Sequence, residues 1–151
     1  MVEPLAGELV VVCMLDEQTR ARLVTVKDLA KLGLNREAAL QRAKENVRRR
    51  LGGIEKLALG DTAGKVGVLT RGEFYESSVL LDTAGWTELS RTRSGSLIVA
   101  VPAVDVVLFT WIGDAAATEP LRAMAKELSE KAARPLSNQL LRFNRGKWDP
   151  I

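Results

Sequence analysis

Apolar positions along this chain change their period several times, and each change marks an element. Residues 9–15 form a continuous apolar run ended by Asp16 and Glu17, which predicts a strand buried on both faces. Residues 20–26 alternate, Leu23 and Thr25 against Val24 and Val26, and predict a strand returning along the first through a turn at 16–19. Residues 26–32 fit a short helix closed by Gly33. Asn35 then reads as an N-cap with Glu37 in the first turn, opening a helix over 36–50. Leu40, Ala43, Val47 and Leu51 form its apolar stripe, and Gly52-Gly53 stop it.

The middle of the chain is less regular. Strands are expected at 56–59, 65–69 and 76–81, with a turn at 60–64, and a short helix holding Trp86 and Leu89 at 83–91. Residues 96–101 and 106–111 are valine-rich strands. Thr118 caps the last long helix, with Glu119 and Pro120 in its first turn. Leu121, Met124 or Ala125, Leu128 and Ala132 form its buried stripe, and Pro135 ends it. Ser137 reads as the cap of a further short helix, and residues 146–151 as surface chain anchored by Trp148. The expectation is one α+β domain over residues 1–151, with a mainly antiparallel sheet, two long helices packed against it, and loose termini at 1–7 and 149–151. Helices and strands do not alternate regularly enough for a doubly wound parallel sheet.

Residues 97–113 approach the length of a membrane span, but Pro102 and Asp105 interrupt them, and two strands joined by a turn fit better. Residues 1–8 carry no basic stretch of the kind that opens a signal peptide. With 151 residues, 46% hydrophobic and 27% charged, the composition is that of an ordinary globular domain. The decisive count is histidine, of which there is none, alongside a single cysteine, Cys13. This excludes Ser-His-Asp and Cys-His catalysis, histidine-containing zinc sites and an internal disulfide. Any acid–base chemistry would fall to a perturbed carboxylate or lysine. A cytoplasmic location is the expectation.

Four local patterns recur in order along the chain. They are Ala43-x-x-Asn46, then Phe74-Tyr75-Glu76-Ser77-Ser78-Val79-Leu80-Leu81 followed by Trp86, then Val99-Ala-Val-Pro102-x-x-Asp105, and finally Pro135-Leu136-Ser137 with Gly146-x-Trp148. In order and spacing they resemble the uncharacterised YtpQ-like (DUF1444) family of bacterial proteins. The resemblance implies a bacterial origin and a compact α+β domain, and it brings no activity with it. The family pattern has arginine just before the aspartate where this chain has Val104, so no role of an Arg–Asp pair carries over to Asp105.

Asp105 lies between two apolar strands, where an unpaired carboxylate would be costly. It is read either as a turn residue bonding its own backbone or as a ligand-facing acid at a strand end. Glu76-Ser77-Ser78 lacks the G-x-S-x-G elbow and has no histidine base, so strand serines are expected. Gly60-Asp-Thr-Ala-Gly-Lys65 misses the spacing of a phosphate loop. Carboxylates are scattered, so no metal and no cofactor are expected. Arg42, Lys44, Arg48, Arg49 and Arg50, preceded by Arg36, concentrate positive charge in a chain of net charge +3. Cations are favoured at a helix carboxyl end without any partner, and no aromatic residue lies near to stack on bases. The expected function is a non-catalytic binding domain engaging a protein partner through an apolar patch, with Trp111 and Trp148 as candidates. Weak electrostatic binding of nucleic acid through 36–50 is the alternative. A histidine-independent enzyme using carboxylates with Lys, Arg, Ser or Tyr75 comes third. No membrane association is expected, and the oligomeric state is left open.

Overall fold

In a computed structural model of the chain, residues 1–17, 19–54, 66–113 and 118–151 are described. The expected strand at 56–59, the turn at 60–64 and the glycine motif ending at Lys65 lie outside them.

The centre is a five-stranded antiparallel sheet in the order β5-β7-β6-β8-β9. Its strands are β5 (Gly67–Leu69), β6 (Ser96–Ala103), β7 (Val106–Ile112), β8 (Leu140–Asn144) and β9 (Lys147–Pro150). The central pair β6 and β7 is apolar on both sides apart from Ser96 and the buried Thr110, because both faces of the sheet are covered. On one face Leu97, Val99, Val101, Val107 and Phe109 join Leu141, Phe143 and Trp148. On the other, Ile98, Ala100, Leu108, Ile112 and Leu140 meet Leu121 and Ala125. Each valine, leucine, isoleucine or phenylalanine among them contributes about 1.5–3 kcal/mol on full burial. Pro102, with no N–H for the ladder, sits where the β6–β7 register shifts between Ala100 and Ala103.

The described residues include four α-helices: α1 (Val26–Leu32), α2 (Arg36–Leu51), α3 (Thr83–Arg91) and α4 (Glu119–Lys131). Helix α4 covers one face, using Leu121 and Ala125. The other face is covered by the end of α2, by Trp86 of α3 and by residues 76–81. That last segment, Glu76–Leu81, is a 3-10 helix and not the strand its pattern suggested. Two indoles hold it: Trp86 Nε1 donates to the Val79 carbonyl at 2.8 Å and Trp148 Nε1 to the Leu80 carbonyl at 3.0 Å.

Residues 2–23 form a two-stranded ribbon in two halves. β1 (Val2–Ala6) pairs with β2 (Leu9–Val12), and β3 (Met14–Asp16) pairs with β4 (Ala21–Leu23). The Cys13 N–H donates to the Met1 carbonyl, and the Val24 N–H donates to the Cys13 carbonyl, each at 3.1 Å. A residue in a strand points both groups to one side, so β1 and β4 lie end to end along the same edge of the run 9–16.

Three expectations are corrected here. Residues 9–15 are buried on one side only, since Val10, Val12 and Met14 are exposed. The reason is that β1 and β4 cover an edge of this run, while no described residue covers its outer face. Both expected loose termini are strands, β1 and β9. Ser137 caps no helix: its hydroxyl donates to Glu8 and accepts from the Gln139 N–H, and β8 follows. The hairpin β8–β9 turns at Arg145-Gly146, both at positive φ (48° and 81°), a type I′ geometry.

Candidate functional site

Helix α2 lies across the ribbon and is fastened to it near both ends. Asn35 Oδ1 accepts from the Ala38 N–H at 2.8 Å and starts the helix. Arg36 donates to the Glu3 carboxylate and to the Val2 carbonyl, both at 2.8 Å. Fourteen residues on, Arg50 reaches Asp16 at 3.2 Å and Glu73 at 3.0 Å, with its guanidinium 4.7 Å from the Tyr75 ring centre. The Tyr75 hydroxyl donates to Asp16 at 2.8 Å, and this bond pushes the phenol pKa up. Glu73 chiefly holds the Arg50 guanidinium protonated, raising its pKa.

Between these fastenings the helix and ribbon stand apart and enclose a cavity of about 280 Å³. The helix contributes Leu40, Ala43 and Val47, the predicted stripe. Five consecutive ribbon residues, Leu9 to Cys13, line the other wall, and Ser77, Ser78 and Leu81 the base. Burial pushes the Cys13 thiol pKa up, which leaves it protonated and unreactive at neutral pH.

The outer face of the ribbon is apolar and open. Val10, Val12 and Met14 share it by alternation, and the register sets Val2 opposite Val12 and Leu23 opposite Met14. All five are exposed, Val10 and Leu23 by 53% each. Val26 follows at the start of α1, 82% exposed. Contiguous apolar surface of this kind marks interaction sites more often than scattered single residues do.

The predicted site residues fall in different places. Trp148 is in the core, 7% exposed, with its ring 5.2 Å from Trp86 and 4.8 Å from Phe143, and offers no surface to a partner. Trp111 is half-buried, packed edge-to-face with Phe109 and under the Arg93 guanidinium at 4.8 Å. Its Nε1 is the one buried side-chain nitrogen or oxygen without a hydrogen bond among the described residues. Arg48 bonds Asp82 at 2.9 Å, and Asp82 in turn caps α3 through the Gly85 N–H. Arg49 donates to Asn46, and Arg42 lies 3.9 Å from Glu45. The basic helix is thus partly neutralised by Glu3, Asp16, Glu73 and Asp82.

Asp105 forms, with Val104, the two-residue turn between Ala103 and Val106. The backbone of Val104 fixes this turn, accepting from the Ser77 N–H at 3.0 Å and donating to the Arg134 carbonyl at 3.3 Å. No hydrogen bond or ion pair of the Asp105 carboxylate is made among the described residues, so the carboxylate does not brace the turn. It faces a cleft of about 320 Å³ shared with Phe74, Lys131 and Arg134. Phe74 is exposed and held at a φ of 65°, with the Arg134 guanidinium 5.4 Å from its ring.

Sequence reasoning passed over two anchoring carboxylates. Glu76 is fully buried and accepts from the N–H groups of Arg71, Glu73 and Tyr75 at 2.6, 3.0 and 3.0 Å. Burial alone would raise its pKa, but the backbone donors outweigh it and hold the carboxyl below its ordinary value. Asp28 closes a capping box with Thr25 and takes a bidentate bond from Arg22 at 2.7 and 2.9 Å. Arg22 first, then Thr25, holds the Asp28 carboxyl well below the usual range. The Thr25-x-x-Asp28 spacing was the available signal. Glu76 had none, because its donors are backbone groups.

Among the described residues no group of three or more potential ligands could hold a metal, and no helix is long and apolar enough to cross a membrane. Comparison with protein-family models, curated proteins and solved structures finds no match to this chain.

Proposed function

We propose that this domain is a non-catalytic interaction module that engages a protein partner through the outer face of its amino-terminal ribbon. The observation that carries the reading is the exposed stripe of Val2, Val10, Val12, Met14 and Leu23. These residues lie outside both core clusters. Exposing them costs solubility without stabilising the fold, so covering by a partner is the economical explanation. The absence of histidine supports the same reading by narrowing the available chemistry. Nucleic-acid binding through Arg42, Arg48, Arg49 and Arg50 is the weaker reading, because Arg48 and Arg50 are already engaged with carboxylates.

The test is the double substitution Val12→Lys with Met14→Lys, used as bait in nuclease-treated lysate beside the unmodified protein. Both side chains point to solvent, so each change should alter stability by no more than about 0.5 kcal/mol. A protein captured stoichiometrically by the parent and lost by the variant is the expected result. Equal capture by both proteins would remove the ribbon face from the reading.

A further inference from the structure

Among the described residues, one edge of the ribbon is unpaired. The pair Cys13 and Met1 exchanges a backbone hydrogen bond, so bonded pairs fall at odd positions of the run 9–16, and Glu17 with Arg20 continues the series. The N–H and C=O groups of Val10, Val12 and Met14 therefore point away from β1 and β4. No strand pairs with that side among the described residues. Pro4 sits opposite Val10, at a non-bonded position where its missing N–H breaks no rung. Natural proteins protect long apolar edges with charge, bulges or a covering element. Here β2 is apolar throughout, Leu9 followed by three valines.

The cavity follows this edge. It touches consecutive residues of β2, both inward- and outward-pointing, whereas β1 contributes only Leu5. A cavity lying under one face would touch alternate residues. Strand edge, helix α2 and serine base together make a groove with apolar walls and a ladder of free backbone groups. The hydroxyls of Ser77 and Ser78 have no hydrogen-bond partner among the described residues. Charge selects the occupant. Helix α2 carries Arg36, Arg42, Lys44, Arg48, Arg49 and Arg50 against Glu37 and Glu45, and after Arg36, Arg48 and Arg50 pair with carboxylates of other elements it keeps a positive excess in Arg42, Lys44 and Arg49. Lys44 lies four residues after Leu40 and three before Val47, on the groove face, and makes no ion pair among the described residues.

Resting on the interaction reading above, we propose that the groove between β2 and α2 binds an extended apolar segment of a partner protein, flanked by acidic residues, as an added strand. Its backbone pairs with Val10, Val12 and Met14, alternate side chains enter the cavity beside Ala43 and Val47, and an acidic flank meets Lys44.

The probes are two synthetic peptides with the same alternating valine–threonine centre, one flanked by glutamates and the other by lysines. Amide hydrogen exchange is followed in the full chain. The glutamate-flanked peptide should slow exchange at Val10, Val12 and Met14 and bind about tenfold more tightly than the lysine-flanked one. Lys44→Glu should reverse that order, and Val12→Pro, which deletes one edge donor, should weaken both peptides. Ala43→Trp fills the groove from the helix side and should do the same without touching the ribbon. If neither peptide protects these amides while Val12→Lys with Met14→Lys still abolishes partner capture, the groove proposal fails and the ribbon reading stands. If the amides become protected with rising protein concentration and no peptide, the occupant is a second copy of the chain and the acidic-segment proposal is overturned.

Discussion

Glu76 shows how one buried charge can organise a loop. Three backbone N–H groups from residues 71–75 converge on it, which lets this stretch turn without secondary structure of its own. Glu76→Gln removes the charge and turns an amide N–H₂ toward donors. It should lower the unfolding free energy by about 1–3 kcal/mol, measured by urea denaturation. The folded-state pKa of Glu76, like that of Asp28, is depressed. Their stabilisation is therefore complete above the unfolded-state pKa, about 4, and is lost as the pH falls through the folded value. Stability of the parent should drop below about pH 4, and the Glu76→Gln profile should be flatter there. Identical slopes would mean that Glu76 titrates alike in both states.

At the scale of elements, α3 is held by close approach more than by propensity. Gly85 faces Ile54 and the Asp82 carboxylate, and an added Cβ would lie 2.6 Å from Asp82 Oδ2 and closer still to Ile54. Alanine normally stabilises a helix interior by about 1 kcal/mol over glycine. Gly85→Ala should instead destabilise by about 1–3 kcal/mol through overpacking, seen as a lowered thermal midpoint. A gain in stability would show that Ile54 can yield.

Elements with their own period were legible in the sequence: α2 from Asn35 and its stripe, α4 from Pro120, and β6 and β7 from their valines. What escaped was set by distant partners. Residues 76–81 look like a strand until the indoles of Trp86 and Trp148 take their carbonyls. β8 and β9 were hidden because their signal is a two-residue turn, Arg145-Gly146, in a short polar stretch. The candidate site was partly legible. Leu40, Ala43 and Val47 were seen as a buried stripe, but that the stripe borders a cavity depends on the ribbon standing off from it. The exposure of Val10, Val12 and Met14 had the opposite sign from expectation, because a continuous apolar run reads the same whether one or both faces are covered.

For the whole molecule, the ribbon touches the chain's far end. Ser137 donates to Glu8, the Glu8 N–H donates to Gln139 at 3.2 Å, and β1 lies against β9. These contacts join residues 129 and 131 positions apart. A chain ending before Ser137 should still form the local pairs of β1 with β2 and of β3 with β4. Its Leu9 and Val11 amides should nevertheless exchange much faster than in the full chain. Unchanged protection would show that the ribbon seats itself unaided. Synthesis then imposes an order of events. The ribbon and α2 leave the ribosome well before Ser137, Gln139 and β9, so the ribbon's contacts with those residues wait for about 130 further positions. During that interval Leu5, Ala6 and Leu9 on its inner side are uncovered as well as its outer stripe, so the nascent chain is most prone to aggregate before the β8–β9 hairpin closes.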